Sequence, residues 1–235
     1  MITTLIVLSE QWFADAGCHG PLRPWKSGRA GRVTPPANLL RRHALADAAI
    51  EILGTCGIHR LSHRAVDESA GVPSGTTSNY FRNRDGLLQA TARRIVDLHL
   101  EDMARDIGDV PATAAERLDQ NGLADLIGQS LYQAATQRRV RFQAIFELLL
   151  EATRTPALGH TLSEISTATL RTTIAHHRAL GLETSPEQVR TLTALYSGAL
   201  FTLVTGPPQP ITTETTRTLA RTIVNGVLGT PGPRE

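Results

Sequence analysis

Apolar positions along this chain recur three or four apart, the spacing of one helix face, and nowhere alternate as a half-buried strand would. The first stripe is Leu45, Ala49, Ile52 and Leu53. Asn38 offers an N-cap, and Gly54 and Gly57 a stop, so a helix is predicted over roughly Leu39 to Leu53. A second, short helix follows from Ser62 as N-cap, with Val66 and Ala70 one turn apart. Gly71 supplies the backbone angle of a tight turn, Val72 plugs the corner, and Pro73 or Ser74 opens a third helix. A fourth starts near Asn83 and Arg84, with Asp85 in its positive first turn. Its inner stripe of Leu88, Ala92, Ile95, His99 and Met103 runs several turns, so this helix is long.

The chain breaks at Gly108 to Pro111, and a second helical region follows. Leu123, Leu126, Ile127 and Leu131 mark one helix, and Val140 to Ala152 is apolar nearly all round, as a central buried helix is. Thr155 and Pro156 restart the chain as N-cap and first helical residue. The helix they open, about 157 to 180, carries Leu158, Leu162, Ile165, Thr169 and Thr172 on one face. Ser185 to Gln188 reads as a capping box with Pro186 at the first position. Its helix carries Val189, Leu192, Leu195, Tyr196, Ala199, Leu200 and Leu203, and stops at Gly206-Pro207-Pro208. A last helix, about 213 to 228, shows Leu219, Ile223, Val224, Val227 and Leu228. The fold class is all-α.

Two stretches stand outside this pattern. Residues 231–235 are a tail. Residues 1–36 hold no period and are frequent in glycine, proline and charge, so they read as a poorly ordered N-terminal arm. The favoured reading of that arm is a disordered tail, or a start codon placed upstream of the true one. A basic arm is the other, with Arg29 and Arg32 between glycines entering a minor groove.

Composition narrows the class. No apolar run approaches the roughly 20 residues of a membrane span. The early Thr3 to Leu8 run is too short for a signal-peptide core and has no basic start, so a cytoplasmic protein is expected. Two cysteines, Cys18 and Cys56, make no disulfide framework, and Cys56 is expected as a small buried residue. Charge is uneven. Residues 37–94 hold eight Arg against five acids, and residues 95–235 twelve Arg against fifteen acids. A basic front and a mildly acidic back fit a chain that meets phosphate at one end only.

The chemistry points the same way. The third helix carries Ser74, Thr76, Thr77, Ser78, Asn79 and Tyr80. A helix that served only the core would be richer in leucine and alanine; small polar tips on the second helix of a tight pair suit a DNA groove. His160, His176 and His177 do not make a metal site, because adjacent histidines point to different faces and no cysteine or acid sits at ligand spacing. No nucleophile sits beside a base, and no Gly-rich phosphate loop, His-Glu-x-x-His motif or paired cysteine occurs, so no enzyme activity, cofactor or metal is expected.

Leu45 to Leu53, Gly57-Ile58, Ala70-Gly71-Val72, Gly75-Thr76, Tyr80-Phe81 and Asn83 to Leu88 together resemble the DNA-binding domain of the TetR family of transcriptional regulators. The resemblance implies an N-terminal three-helix domain with a helix-turn-helix over 37–83, and a helical ligand-binding and dimerisation domain over 84–230. It places DNA contacts at Ser62, His63 and Arg64, at Ser74, Gly75, Thr76, Ser78, Asn79 and Tyr80, and at Arg84. Asn79 would pair with an adenine edge and Arg64 with a guanine, while Tyr80 and Arg84 would hold phosphates. Two residues depart from the family pattern. Asp67 stands where alanine is usual, at the close approach of the two helices, and Thr77 where an apolar core residue is usual. Either Asp67 finds a partner there, or the helices sit wider apart, because a buried unpaired carboxylate is costly.

The family also implies a homodimer through about 186–205 and 213–228, and a pocket for a small, mostly apolar effector. Helical faces put His99, Met103, Tyr132, Phe142, Phe146, Thr169 and Thr173 around that pocket. The function expected is a ligand-responsive regulator, a repressor released by its effector from palindromic double-stranded DNA, its operator. A DNA-binding protein with a fully packed back half is the alternative, and a helical enzyme a more distant one.

Overall fold

The computed structural model describes residues 37–108, 119–179, 181–206 and 210–229. The readings for 1–36 and 231–235 lie outside the described residues. Nine α-helices are seen among the described residues: α1 (Ala37–Cys56), α2 (His63–Ser69), α3 (Thr76–Tyr80), α4 (Arg84–Gly108), α5 (Gln120–Thr136), α6 (Arg139–Ala152), α7 (Pro156–Ala179), α8 (Pro186–Thr205) and α9 (Thr213–Leu228). No strand occurs among the described residues. No helix there is long and apolar enough to cross a membrane.

Caps place most of the boundaries. Ser62 Oγ accepts from Ala65 N–H at 3.1 Å and starts α2. Asn83 Oδ1 accepts from Gly86 N–H at 2.8 Å at the start of α4. Ser185 and Gln188 form the reciprocal capping box of α8. Thr155 departs from expectation: its carbonyl begins α7, but its hydroxyl donates back to Glu151 Oε1 at 3.1 Å.

Glycine 54 does not stop the first helix. It lies inside α1, which runs on to Cys56 and ends at Gly57, a left-handed residue with φ of +79°. A Cβ on Gly54 would stand 2.2 Å from the carbonyl oxygen of Val140, so the glycine lets α1 lie directly against the backbone of α6. Cys56 is exposed rather than buried, because it falls on the last turn beyond that contact. The 3-10 turn Ile58–Arg60 follows, an element the hydrophobic period does not reveal.

One hydrophobic core runs through both halves. Leu45, Leu53, Val66, Phe81, Leu88 and Ile95 of the front join Leu131, Phe142, Leu148, Leu158 and Leu200 of the back. A smaller cluster of Leu123, Ala124, Leu192, Ile223 and Val224 ties α5 to α8 and α9. Three leucines read as inward face outward: Leu126, Leu150 (56% exposed) and Leu195 (45% exposed). Their period is helical, but among the described residues no neighbouring helix covers that part of the circumference. Arg94 Nε meets Asp47 Oδ1 at 2.8 Å and Arg94 also reaches Glu101, so α4 is clamped to α1 by charge as well as by apolar contact.

Candidate nucleic-acid interface

Helices α2 and α3 form a tight pair at the front of the molecule. Gly71, with φ of +63°, makes the turn, and Val72 N–H closes it on the Asp67 carbonyl at 3.0 Å. The third helix begins later than Pro73 or Ser74. Residues 73–75 are a turn in which Thr76 N–H and Oγ1 both bond the Pro73 carbonyl, and Gly75 is left-handed at φ +88°. Only five residues, Thr76–Tyr80, are helical.

Gly75 has no side chain with which to cap this helix. Asp67 does so from α2. Its Oδ2 accepts from Gly75 N–H at 2.7 Å, and its Oδ1 accepts from Thr77 N–H at 2.7 Å and Thr77 Oγ1–H at 2.5 Å. The two departures from the family pattern are therefore one feature. Asp67 is 2% exposed and Thr77 wholly buried, and each satisfies the other. Burial pushes the Asp67 carboxyl up, but the hydrogen bonds from Thr77 and Gly75 and the nearby His63 outweigh it and hold it below the usual carboxylate range.

The outer side of the pair is uncovered. Ser62, Arg64, Ser74, Gly75, Ser78 and Asn79 are exposed, while His63, Thr76 and Tyr80 are half-buried. Arg64 is held by an i,i+4 ion pair to Glu68 at 2.8 Å, in which both side chains are open to water. Such a pair is weak, so the guanidinium is available to a stronger anion. His63 Nε2 lies 2.7 Å from the Phe81 carbonyl oxygen and joins the start of α2 to the end of α3.

Two other basic side chains turn toward the protein. Arg84 donates to the carbonyls of Leu61 and of Ile58, the latter at 2.7 Å. Arg42, which sequence reasoning missed, donates to the Tyr80 carbonyl at 3.3 Å and stacks over the Phe81 ring, 5.0 Å from its centroid. Glu147 was missed as well. From α6 its Oε2 accepts the Ile58 N–H at 2.9 Å, so the back half reaches the 3-10 turn that Arg84 holds from the other side. No local pattern signals either contact. The Asp67 and Thr77 pair did leave a signal, two complementary departures at one helix crossing.

Of the residues expected around a pocket, His99 and Phe142 come together edge to face at 6.3 Å, both buried. Phe146 is buried but meets Phe201 of α8, edge to face with centroids 4.9 Å apart. Tyr132 on α5 and Thr173 on α7 are half-buried. The side chains of Met103 and Thr169 lie outside the described residues. Among the described residues no group of His, Cys, Asp or Glu side chains is placed to hold a metal ion. His177 Nδ1 sits 2.9 Å from Thr184 Oγ1, and His160 3.5 Å from Glu164.

On the back of the molecule, α8 leaves Ala194, Leu195, Gly198, Phe201 and Thr202 exposed, one stripe at helical spacing.

Residues 45–91 match the family model of bacterial regulatory proteins, tetR family, and residues 118–230 that of the tetracyclin repressor-like C-terminal domain. The chain is 35% identical over 78 residues to the HTH-type transcriptional regulator BetI of Escherichia coli O127:H6 (strain E2348/69 / EPEC), a match covering 33% of this chain and only 40% of that protein. It is 27% identical over 201 residues to BetI of Cronobacter sakazakii, covering 83% of this chain and 95% of that protein. Among solved structures, the multidrug binding protein EbrR complexed with imidazole superposes with a TM-score of 0.56 at 29% identity, over 83% of this chain and 98% of that one. A transcriptional regulator, SCO7518 from Streptomyces coelicolor A3(2), shares the fold at 20% identity with a TM-score of 0.60, over 81% of this chain and 99% of that one.

Proposed function

The chain belongs to the TetR family of bacterial regulatory proteins, and from that premise we propose that it is a repressor, released from a palindromic operator by a small, mostly apolar effector. Members of this family are transcription factors rather than enzymes. The observation that carries the DNA-binding reading is the exposure of Ser78 and Asn79 on a short helix, with Ser74 exposed on the turn before it and no other described element covering them. Asn79 and Arg64 read base edges, Ser74, Thr76 and Ser78 face the major groove, and the start of α2 and the turn at Gly75 lie along the backbone. Tyr80 and Arg84 act at phosphate while also supporting the fold, Tyr80 by packing half-buried against the core and Arg84 by its bonds to the Ile58 and Leu61 carbonyls.

One five-residue helix reads too few bases to choose a site. A twofold dimer supplies two, about 34–36 Å apart on one face of the duplex. The uncovered stripe of α8, with α9 beside it, is the surface we assign to that dimer. The effector site lies among α4, α5, α6 and α7, near His99, Phe142 and Phe146. EbrR, complexed in its structures with imidazole and with ethidium, supports a small organic effector with an aromatic ring here. Release requires that the effector bind more tightly to the conformation whose reading helices miss the operator. The protein acts where the DNA is, in the cytoplasm.

Purified protein should retard DNA from upstream of its own gene, and Ser78→Ala with Asn79→Ala should abolish the shift with the helical signal intact. Retardation unchanged in that double variant overturns the reading. Because Arg84 and Tyr80 support the fold, the exposed pair is the cleaner test. Ethidium should raise the melting temperature of the DNA-free protein if the effector class is right.

A further inference from the structure

We infer that Asp67 and Thr77 are a positioning pair that sets how the reading helix meets the duplex, and so governs base discrimination more than DNA affinity. The inference rests on the DNA-reading function proposed for α2 and α3. Helix α3 is little more than one turn, far too short to hold its own shape. Its aim is therefore set by whatever grips its first turn. Its N-cap is a glycine and grips nothing. Asp67 takes the Gly75 N–H on one oxygen and the Thr77 N–H and hydroxyl on the other, all between 2.5 and 2.7 Å.

Directional bonds to both carboxylate oxygens restrain spacing, slide and rotation together. An alanine against an aliphatic side chain would restrain spacing alone. The same carboxylate sits one turn after Arg64 on α2, so the pair fixes Arg64 relative to Ser78 and Asn79. His63, bonded to the Phe81 carbonyl, closes the far end of α3. Phosphate contacts tolerate a small shift of α3; hydrogen bonds to base edges do not.

The test uses the full chain and two labelled duplexes: one enriched by the wild-type protein from a random pool, and a scrambled duplex of equal length and composition. The ratio of their Kd values is the discrimination. Asp67→Asn presents an amide N–H₂ to a donor and should lower the ratio about tenfold, the size of a lost bond to a charged group. Thr77→Val keeps the volume, loses the hydroxyl and should lower the ratio about threefold. Thr77→Ser keeps the hydroxyl and should restore the wild-type ratio. Scrambled-duplex affinity should stay the same in all three. The inference is overturned if the ratio is unchanged in Asp67→Asn and Thr77→Val, or if both duplexes weaken equally. If Asp67→Asn does not fold, Thr77→Val against Thr77→Ser decides alone. A wild-type protein that enriches no duplex overturns the DNA-reading function itself, a result distinct from an enriched duplex whose discrimination the variants leave intact.

Discussion

At the scale of single residues, the most consequential group is a carboxylate almost out of reach of water. Asp67 stays charged because three donors and His63 outweigh its burial. Its carboxyl is lower in the folded chain than in the unfolded one, so its contribution to stability is complete above the unfolded value of about 3.9 and is lost as pH falls through the folded one. Urea titrations of wild type and Asp67→Asn should therefore differ at pH 7, and the gap should narrow as pH falls below the unfolded value of about 3.9. A gap that persists in acid would mean the charge is not what holds α3. The sequence made Asp67 and Thr77 conspicuous without joining them, because they stand on different helices and the contact exists only once Gly71 has turned the chain. Arg84 adds a second case: besides the phosphate role proposed for it, its guanidinium bonds the Ile58 and Leu61 carbonyls, contacts that no linear pattern signals.

At the scale of elements, several caps were legible and the crossings were not, although Asn38, read as the cap of the first helix, lies inside α1, and Thr155 turns its hydroxyl to Glu151. Ser62 and the Ser185–Gln188 box act through neighbours three residues away, which a linear reading captures. Gly54 acts through Val140 on another helix, so its helix-breaking reputation misled. Leu126, Leu150 and Leu195 carry the period of buried residues but face outward, since periodicity names a face and not what covers it. The junction of α1 with α6 yields two predictions. Gly54→Ala, which would gain about 1 kcal/mol in an isolated helix, should instead cost about 1–3 kcal/mol in urea unfolding, because backbone cannot retreat from the added carbon. Glu147→Ala should cost about 1–3 kcal/mol by leaving the Ile58 N–H without its acceptor, and Glu147→Gln markedly less. Equal losses in the two Glu147 variants would argue that the hydrogen bond contributes nothing.

At the scale of the whole molecule, a continuous core and the bond from Glu147 to the 3-10 turn make the reading unit and the back half mechanically one body. A change among α4, α6 and α7 would then be felt at α2 and α3 without any separate transmitting element. The other whole-molecule feature is the bare stripe on α8. Leu195→Glu should convert the proposed dimer to a monomer in sedimentation and weaken operator binding, with the helical signal retained. A Leu195→Glu protein that sediments as wild type does would place the dimer contact elsewhere. Sequencing the duplexes that the protein selects from a random pool shows whether a pair of α3 helices reads DNA through exposed Ser78 and Asn79. A twofold-symmetric motif with half-sites about one helical turn apart is expected, and with Asn79→Ala a loss of preference at one symmetric pair of positions. A pool that shows no enrichment, or a motif that Asn79→Ala leaves unchanged, would contradict DNA reading by α3.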